Sequence, residues 1–363
     1  MAVVAVAGGG TGGHVYPALA IATELRDRGH DVRYYGDAER LEGRVVPLRG
    51  FPFRPISAPQ YPRAGILGRV SFALALATSV LRTRRQLQAD GVDAVLGVGG
   101  YISAPAVLAA WTLRIPRAVH EANVVPGMAN RLCARVAQLV LLTYAQTAAR
   151  LPGSAPKKVV GVPVDGALLS GDRLAAAQRY GLRPDAPTVL FVGGSLGAAR
   201  LNELAVRVAK DPDRSFQVLH LCGPKYLQEA TAALGEPPAG VCLVGYEDQM
   251  AMAYAAADLV VCRAGSSTLA ELCAVGLPSL LIPSPHVTEN HQEENARGLE
   301  QAGAAEVLVE AGWDVNQAAS RVARLMADGA VRKSMGARAL ALRRLDAASA
   351  AADYVQTLWG GQR

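Results

Sequence analysis

The sequence predicts an α/β protein of two Rossmann-like domains, each a parallel sheet covered by helices on both faces. Three observations carry this. Short β-branched runs alternate with helix-length amphipathic segments throughout, the pattern of parallel strands joined by crossover helices. The first strand of each half ends in a glycine-rich turn before a helix, VAGGGTGGHVYPALA from Val6 and FVGGSLGAARLNEL from Phe191, and this repetition suits two similar units better than one large sheet. The 363 residues suffice for about two domains of roughly 150 residues each.

Strands are expected at 3–7, 32–35, 94–98, 118–120 and 139–142, then in a second series at 189–192, 217–221, 242–244, 259–262 and 279–283. Helices fill most intervals. GVPVDGALLSG at 161–171 breaks both periodicities and reads as a linker, and from Val315 onward the pattern is helical. Domains are expected at 1–162 and 163–345, followed by a terminal helix at 346–363.

Apolar residues are 51% and charged residues 19% of the chain, which excludes disordered and low-complexity classes. The net charge of +6 is local: eight arginines and no acid lie within 43–89, so the remainder is slightly acidic. Five cysteines without C-x-x-C spacing read as buried thiols of a reducing compartment, not a zinc site or disulfide framework. MAVVAVAGGG suits a first buried strand better than a signal peptide. The longest uncharged apolar stretch, 70–81, falls short of the roughly 20 residues that span a bilayer, so a cytoplasmic chain is expected.

The turn Gly8-Gly9-Gly10-Thr11-Gly12-Gly13-His14 lets a ligand approach the main chain and aims free helix amides at an anion. It also fits a dinucleotide fingerprint with Asp37 or Glu39 as the acid, and a plain tight turn is the third reading. A further glycine turn, Gly97-Val98-Gly99-Gly100-Tyr101, exceeds what one nicotinamide cofactor needs and suits two phosphate-bearing ligands. His120-Glu121-Ala122-Asn123 ends an apolar strand, where α/β ligand crevices open. Arg263-Ala264-Gly265-Ser266-Ser267-Thr268-Leu269-Ala270-Glu271 follows another strand; its hydroxyl residues are expected to cap the helix, its amides to receive a phosphate and Glu271 to accept from a ribose diol. Asp211-Pro212-Asp213 matches the D-x-D of metal-dependent glycosyl transfer but follows a helix, and reads as a surface turn. No metal or other cofactor is expected.

GGTGGHVYPALA, GVGGYISAPA, HEAN, FVGGSLGAARLN, AYAAADLVVCRAGSSTLAEL, GLPSLLIPSPH and NHQEENA, in this order, resemble the successive signatures of the MurG family, the UDP-N-acetylglucosamine transferases of peptidoglycan synthesis. The resemblance covers nearly the whole chain. It implies a GT-B fold with two domains facing a cleft, the terminal helix packing back on the first, and inverting transfer of N-acetylglucosamine to the muramoyl 4-hydroxyl of lipid I, giving lipid II. It implies donor contacts from Thr11, Gly12, Gly13, Asn123, Ser195, Tyr246, Glu247, Gly265, Ser266, Ser267, Thr268, Leu269, Glu271 and Gln292. Acceptor contacts would come from Thr11, His14, Tyr101, Glu121, Asn123 and Asn202. His14 is the candidate general base, because imidazole removes a hydroxyl proton near neutral pH, and Glu121 is the alternative. One departure stands out: where the family has N-P-V-R, this chain reads Val162-Pro163-Val164-Asp165, a carboxylate that would repel a diphosphate if it faced one.

The partners implied are UDP-N-acetylglucosamine, lipid I and an anionic membrane surface, with no nucleic acid. The surface patch comprises Ile66, Arg69, Phe72, Leu76, Arg82, Arg84 and Arg85, where Ile66, Val70, Leu74 and Leu81 form one apolar stripe and Phe72, Leu76 and Val80 another. Peripheral attachment at the cytoplasmic face of the plasma membrane is therefore expected. An epimerase or glycolipid glycosyltransferase of the same fold, an oxidoreductase using only the first glycine turn, and a non-catalytic sugar-nucleotide sensor are the alternatives.

Overall fold

The computed structural model describes residues 1–59, 66–287 and 290–360. The chain divides into two units, Met1–Asp165 with Arg344–Arg363 and Gly166–Arg343.

In the first unit seven parallel strands are ordered β3-β2-β1-β4-β5-β6-β7. They are β1 (Val3–Ala7), β2 (Asp31–Gly36), β3 (Phe53–Pro55), β4 (Ala94–Gly97), β5 (Arg117–Glu121), β6 (Leu139–Leu142) and β7 (Lys157–Val159). Its helices are α1 (Gly12–Asp27), α2 (Leu41–Leu48), α3 (Ile66–Ala89), α4 (Ser103–Leu113) and α5 (Met128–Ala134). The second unit has the order β10-β9-β8-β11-β12-β13, from β8 (Thr188–Val192), β9 (Gln217–Leu221), β10 (Val241–Val244), β11 (Leu259–Cys262), β12 (Ser279–Leu281) and β13 (Ala305–Val307). Its helices are α6 (Arg173–Tyr180), α7 (Ala199–Ala209), α8 (Leu227–Leu234), α9 (Met250–Ala256), α10 (Ser266–Val275), α11 (His291–Gln301), α12 (Val315–Ala327) and α13 (Gly329–Ala341). The terminal α14 (Ala347–Gly360) belongs to the first unit.

Strand alternation sorts the side chains onto two covered faces. Val4 and Val6 pack with α1 and with Ala351, Ala352 and Val355 of α14, while Ala5 and Ala7 join Ala106, Val107 and Ala110 of α4 on the other face. Arg28 fastens α14 to α1, donating to Asp353, Gln356 and Ser349. In the second unit Val189 and Phe191 meet α7 and α12, and Leu190 and Val192 meet α9 and α10.

Candidate functional site

Each sheet reverses its strand order beside its first strand, β1 lying between β2 and β4 and β8 between β9 and β11. A crevice opens outside the carboxyl ends of the strands at such a reversal. In the first unit the turns after β1, β4 and β5 meet there.

Thr11 is the N-cap of α1, yet its side chain makes no capping bond; its hydroxyl lies 3.3 Å from His14 Nδ1. The His14 ring lies over Gly99, where a Cβ would stand 2.6 Å from His14 Cδ2 and 3.0 Å from Nε2. Gly99 has φ +96° and Gly100 φ +74°, and a Cβ on Gly100 would stand 2.3 Å from Gly9 O. Only glycine fits at either position, so the two glycine turns interlock and fix the imidazole. Tyr101 follows, exposed.

Glu42, which nothing in the sequence marks, braces this turn. Its fully buried carboxylate accepts from Gly10 N at 3.2 and 3.1 Å and from Asp37 N at 3.2 Å.

Glu121 stands next in the row of strands, and its surroundings correct its role as an alternative base. It is 2% exposed and accepts from Asn123 N, Asn123 Nδ2, Gly127 N and Asn130 Nδ2 at 2.9, 3.2, 3.0 and 2.9 Å. Burial raises its proton affinity despite these donors. Four donors occupy the carboxylate, so it holds the 121–127 loop and with it Asn123. His120 is likewise internal: burial pulls it down to about 4 and Nε2 donates to Gly161 O at 2.9 Å.

In the second unit Ser195 lies in the turn after β8, and α10 begins at Ser266 after β11. The N-cap is Gly265, with no side-chain capping bond. This corrects the expected hydroxyl cap and presents the first turn, with Ser266, Ser267, Thr268 and Leu269, as an anion seat. One turn on, Glu271 Oε2 accepts from the Tyr254 hydroxyl at 2.7 Å, and Tyr254 is buried. Gln292 Oε1 accepts from Ser284 N at 2.9 Å, which ties α11 to the loop after β12 and leaves the amide nitrogen of Gln292 as its donor.

Two side chains prove to be internal supports. The Glu247 carboxylate accepts from Arg179, Tyr180 and Gln249 N; burial raises its proton affinity, and these donors outweigh that and lower it. Asn202, buried, donates to Cys222 O and accepts from His220 Nε2; these bonds tie α7 to the end of β9 in place of the expected acceptor contact. Asp211 accepts from Asp213 N in the turn before β9, at the amino end of the strands and away from the crevice.

Asp165 forms an ion pair with Arg49 at 2.7 Å, both partly exposed. A pair of this kind contributes about 0 to 1 kcal/mol. Asp165→Arg is accordingly expected to leave UDP-sugar affinity unchanged in titration calorimetry and to lower the melting temperature slightly through repulsion with Arg49. Tighter binding would place Asp165 at the donor.

The glycosyltransferase family 28 N-terminal domain matches residues 4–142, and the C-terminal domain of the same family matches 188–357. A transferase of Clavibacter sepedonicus is 41% identical over 98% of this chain and 96% of its own length. Another, of Halothermothrix orenii, is 38% identical over 90% of this chain and 91% of its own. Both are named UDP-N-acetylglucosamine–N-acetylmuramyl-(pentapeptide) pyrophosphoryl-undecaprenol N-acetylglucosamine transferase. The crystal structure of Acinetobacter baumannii MurG, 29% identical, superposes with a TM-score of 0.75 over 98% of this chain and 99% of that one. Two parallel-sheet units of GT-B type, matched along almost their whole length, make this chain a member of glycosyltransferase family 28 and, within it, of the MurG family.

Proposed function

We propose that the protein transfers N-acetylglucosamine from UDP-N-acetylglucosamine to the muramoyl 4-hydroxyl of undecaprenyl-diphosphoryl N-acetylmuramyl-pentapeptide, lipid I, with inversion, forming lipid II. The observation that carries this reading is identity of 38–41% with enzymes of that name over nearly complete chains. The first unit binds the acceptor, its diphosphate lying at the amides of Thr11, Gly12 and Gly13 beside Tyr101 and Asn123. His14 takes the hydroxyl proton as oxygen attacks the anomeric carbon, and UDP leaves. The second unit holds the donor: Ser195 and the α10 N-terminus on the diphosphate, Glu271 on the ribose, Gln292 on the sugar and Tyr246 with the Glu247 backbone at the base. Amides of α10 stabilise the charge that develops on UDP. Labelled UDP-N-acetylglucosamine incubated with a lipid I analogue tests the reaction; a labelled lipid product is expected, and its absence overturns the reading.

We further propose that α3 seats the enzyme on an anionic membrane surface. No helix among the described residues is long and apolar enough to cross a membrane. Val70, Leu74 and Leu81 are exposed on α3, as is Trp111 of α4, which packs along it. These replace Phe72 and Leu76, which are half-buried, as the apolar surface; the Ile66 side chain lies outside the described residues. Arg69 and Arg85 are exposed nearby, and among the described residues neither they nor Arg84 forms an ion pair. Each cation near such a leaflet contributes about 1 kcal/mol, screened by salt. Cosedimentation with phosphatidylglycerol vesicles is expected to fall sharply for the Arg69, Arg84 and Arg85 triple glutamate variant and, for the wild type, with added salt. Equal sedimentation of both proteins at low salt would sink the proposal.

A further inference from the structure

A cavity of about 420 Å³ lies outside the carboxyl ends of β2 and β3, walled by Asp37 and Glu39, by Pro55 to Ser57, and by Ser79, Arg82, Thr83 and Gln86 of α3. Its volume falls in the range of about 300–1,000 Å³ typical of small-ligand sites. Two features mark it as built for a polar guest. Thr83 is fully buried, and its Oγ1, like Gln86 Oε1, is a buried polar atom with no hydrogen-bond partner. Leaving such atoms unpaired is costly, so a guest that supplies donors is favoured. The charges are also mixed: Glu39 and Arg82 pair neither with each other nor with any other described residue, and Asp37 adds a second carboxylate, which lies 3.9 Å from Arg40 and accepts from Glu39 N.

We infer that this cavity is the subsite for the peptide of the acceptor. The inference rests on the transferase reading above. A pentapeptide carries amide N–H groups for Thr83 and Gln86 and carboxylates for Arg82, and any ammonium group it bears suits Glu39 and Asp37. An anionic lipid headgroup would meet two carboxylates instead. The placement agrees, because Glu42 Oε1 accepts from both Gly10 N of the diphosphate turn and Asp37 N of the cavity wall. One buried carboxylate oxygen thus joins a residue of the cavity wall to that turn, and a peptide carried by the same muramoyl group would extend from the turn towards this wall.

Two lipid-linked muramoyl acceptors, one with the pentapeptide and one without, test this. The wild type is expected to show the lower KM with the peptide. The Glu39→Gln/Arg82→Gln double variant, and separately Thr83→Val, should raise that KM about tenfold while KM for the peptide-free acceptor and for UDP-N-acetylglucosamine stays unchanged. An equal change with both acceptors, or none with either, overturns the subsite. Titration of the free pentapeptide separates the two readings. If the wild type transfers to neither acceptor, the transferase reading fails, and peptide binding lost in the double variant still upholds the subsite. No peptide binding by the wild type sinks it.

Discussion

His14→Ala is expected to lower turnover by about two to four powers of ten, the range for loss of a positioned general base, while affinity for UDP-N-acetylglucosamine is preserved. The ring is held in place: Thr11 Oγ1 lies 3.3 Å from Nδ1, and Gly99 leaves room for the ring edge that carries Nε2. Gly99→Ala provides a second measurement, since its methyl would push the ring aside and strain a backbone at φ +96°. It should reduce turnover without removing the imidazole. Near-wild-type rates for His14→Ala would remove this residue from the chemistry, and weakened donor binding alone would make it a donor contact.

The buried strands β1, β6 and β11 could be read directly because each is a run of four or more apolar residues flanked by turn residues. β1, β6, β9 and β11 have the expected bounds. Three others were invisible for a physical reason: β3, β7 and β13 have three residues each and lie at sheet edges. Phe53–Pro55 contains proline and Lys157–Val159 two lysines, residues suited to an edge and not to a buried core strand. Among the candidate site residues, those defined by backbone were legible, because glycine density betrays close approach of main chain to main chain or ligand. Side chains whose role depends on distant partners were not. Glu42 lies within an ordinary-looking helix, and only the folded chain brings Gly10 and Asp37 to its carboxylate. Glu121, Glu247 and Asn202 look like ligands in the sequence because polar residues at strand ends often are, but here local donors and acceptors consume them.

Glu271 presents a different case, a carboxylate on the first turns of α10 bonded to a buried tyrosine. Its Oε2 accepts from the buried Tyr254 hydroxyl, which fixes the rotamer on α10. Glu271→Ala is thus expected to have two effects: donor binding weakens by about tenfold to a hundredfold as the ribose loses a charged acceptor, and stability drops by about 1 to 3 kcal/mol because the Tyr254 hydroxyl is left buried and unpaired. Glu271→Gln separates them. Its carbonyl oxygen still accepts from Tyr254, so the melting temperature should return close to that of the wild type, while the neutral amide binds the diol more weakly than a carboxylate does. Tyr254→Phe completes the set, removing the buried hydroxyl with its bond and freeing the carboxylate to rotate. Its donor affinity should fall less than that of Glu271→Ala. Titration calorimetry with UDP and thermal denaturation read the two effects independently. A well-folded Glu271→Gln variant with wild-type affinity for UDP would refute the ribose assignment, leaving Glu271 a structural role beside Tyr254.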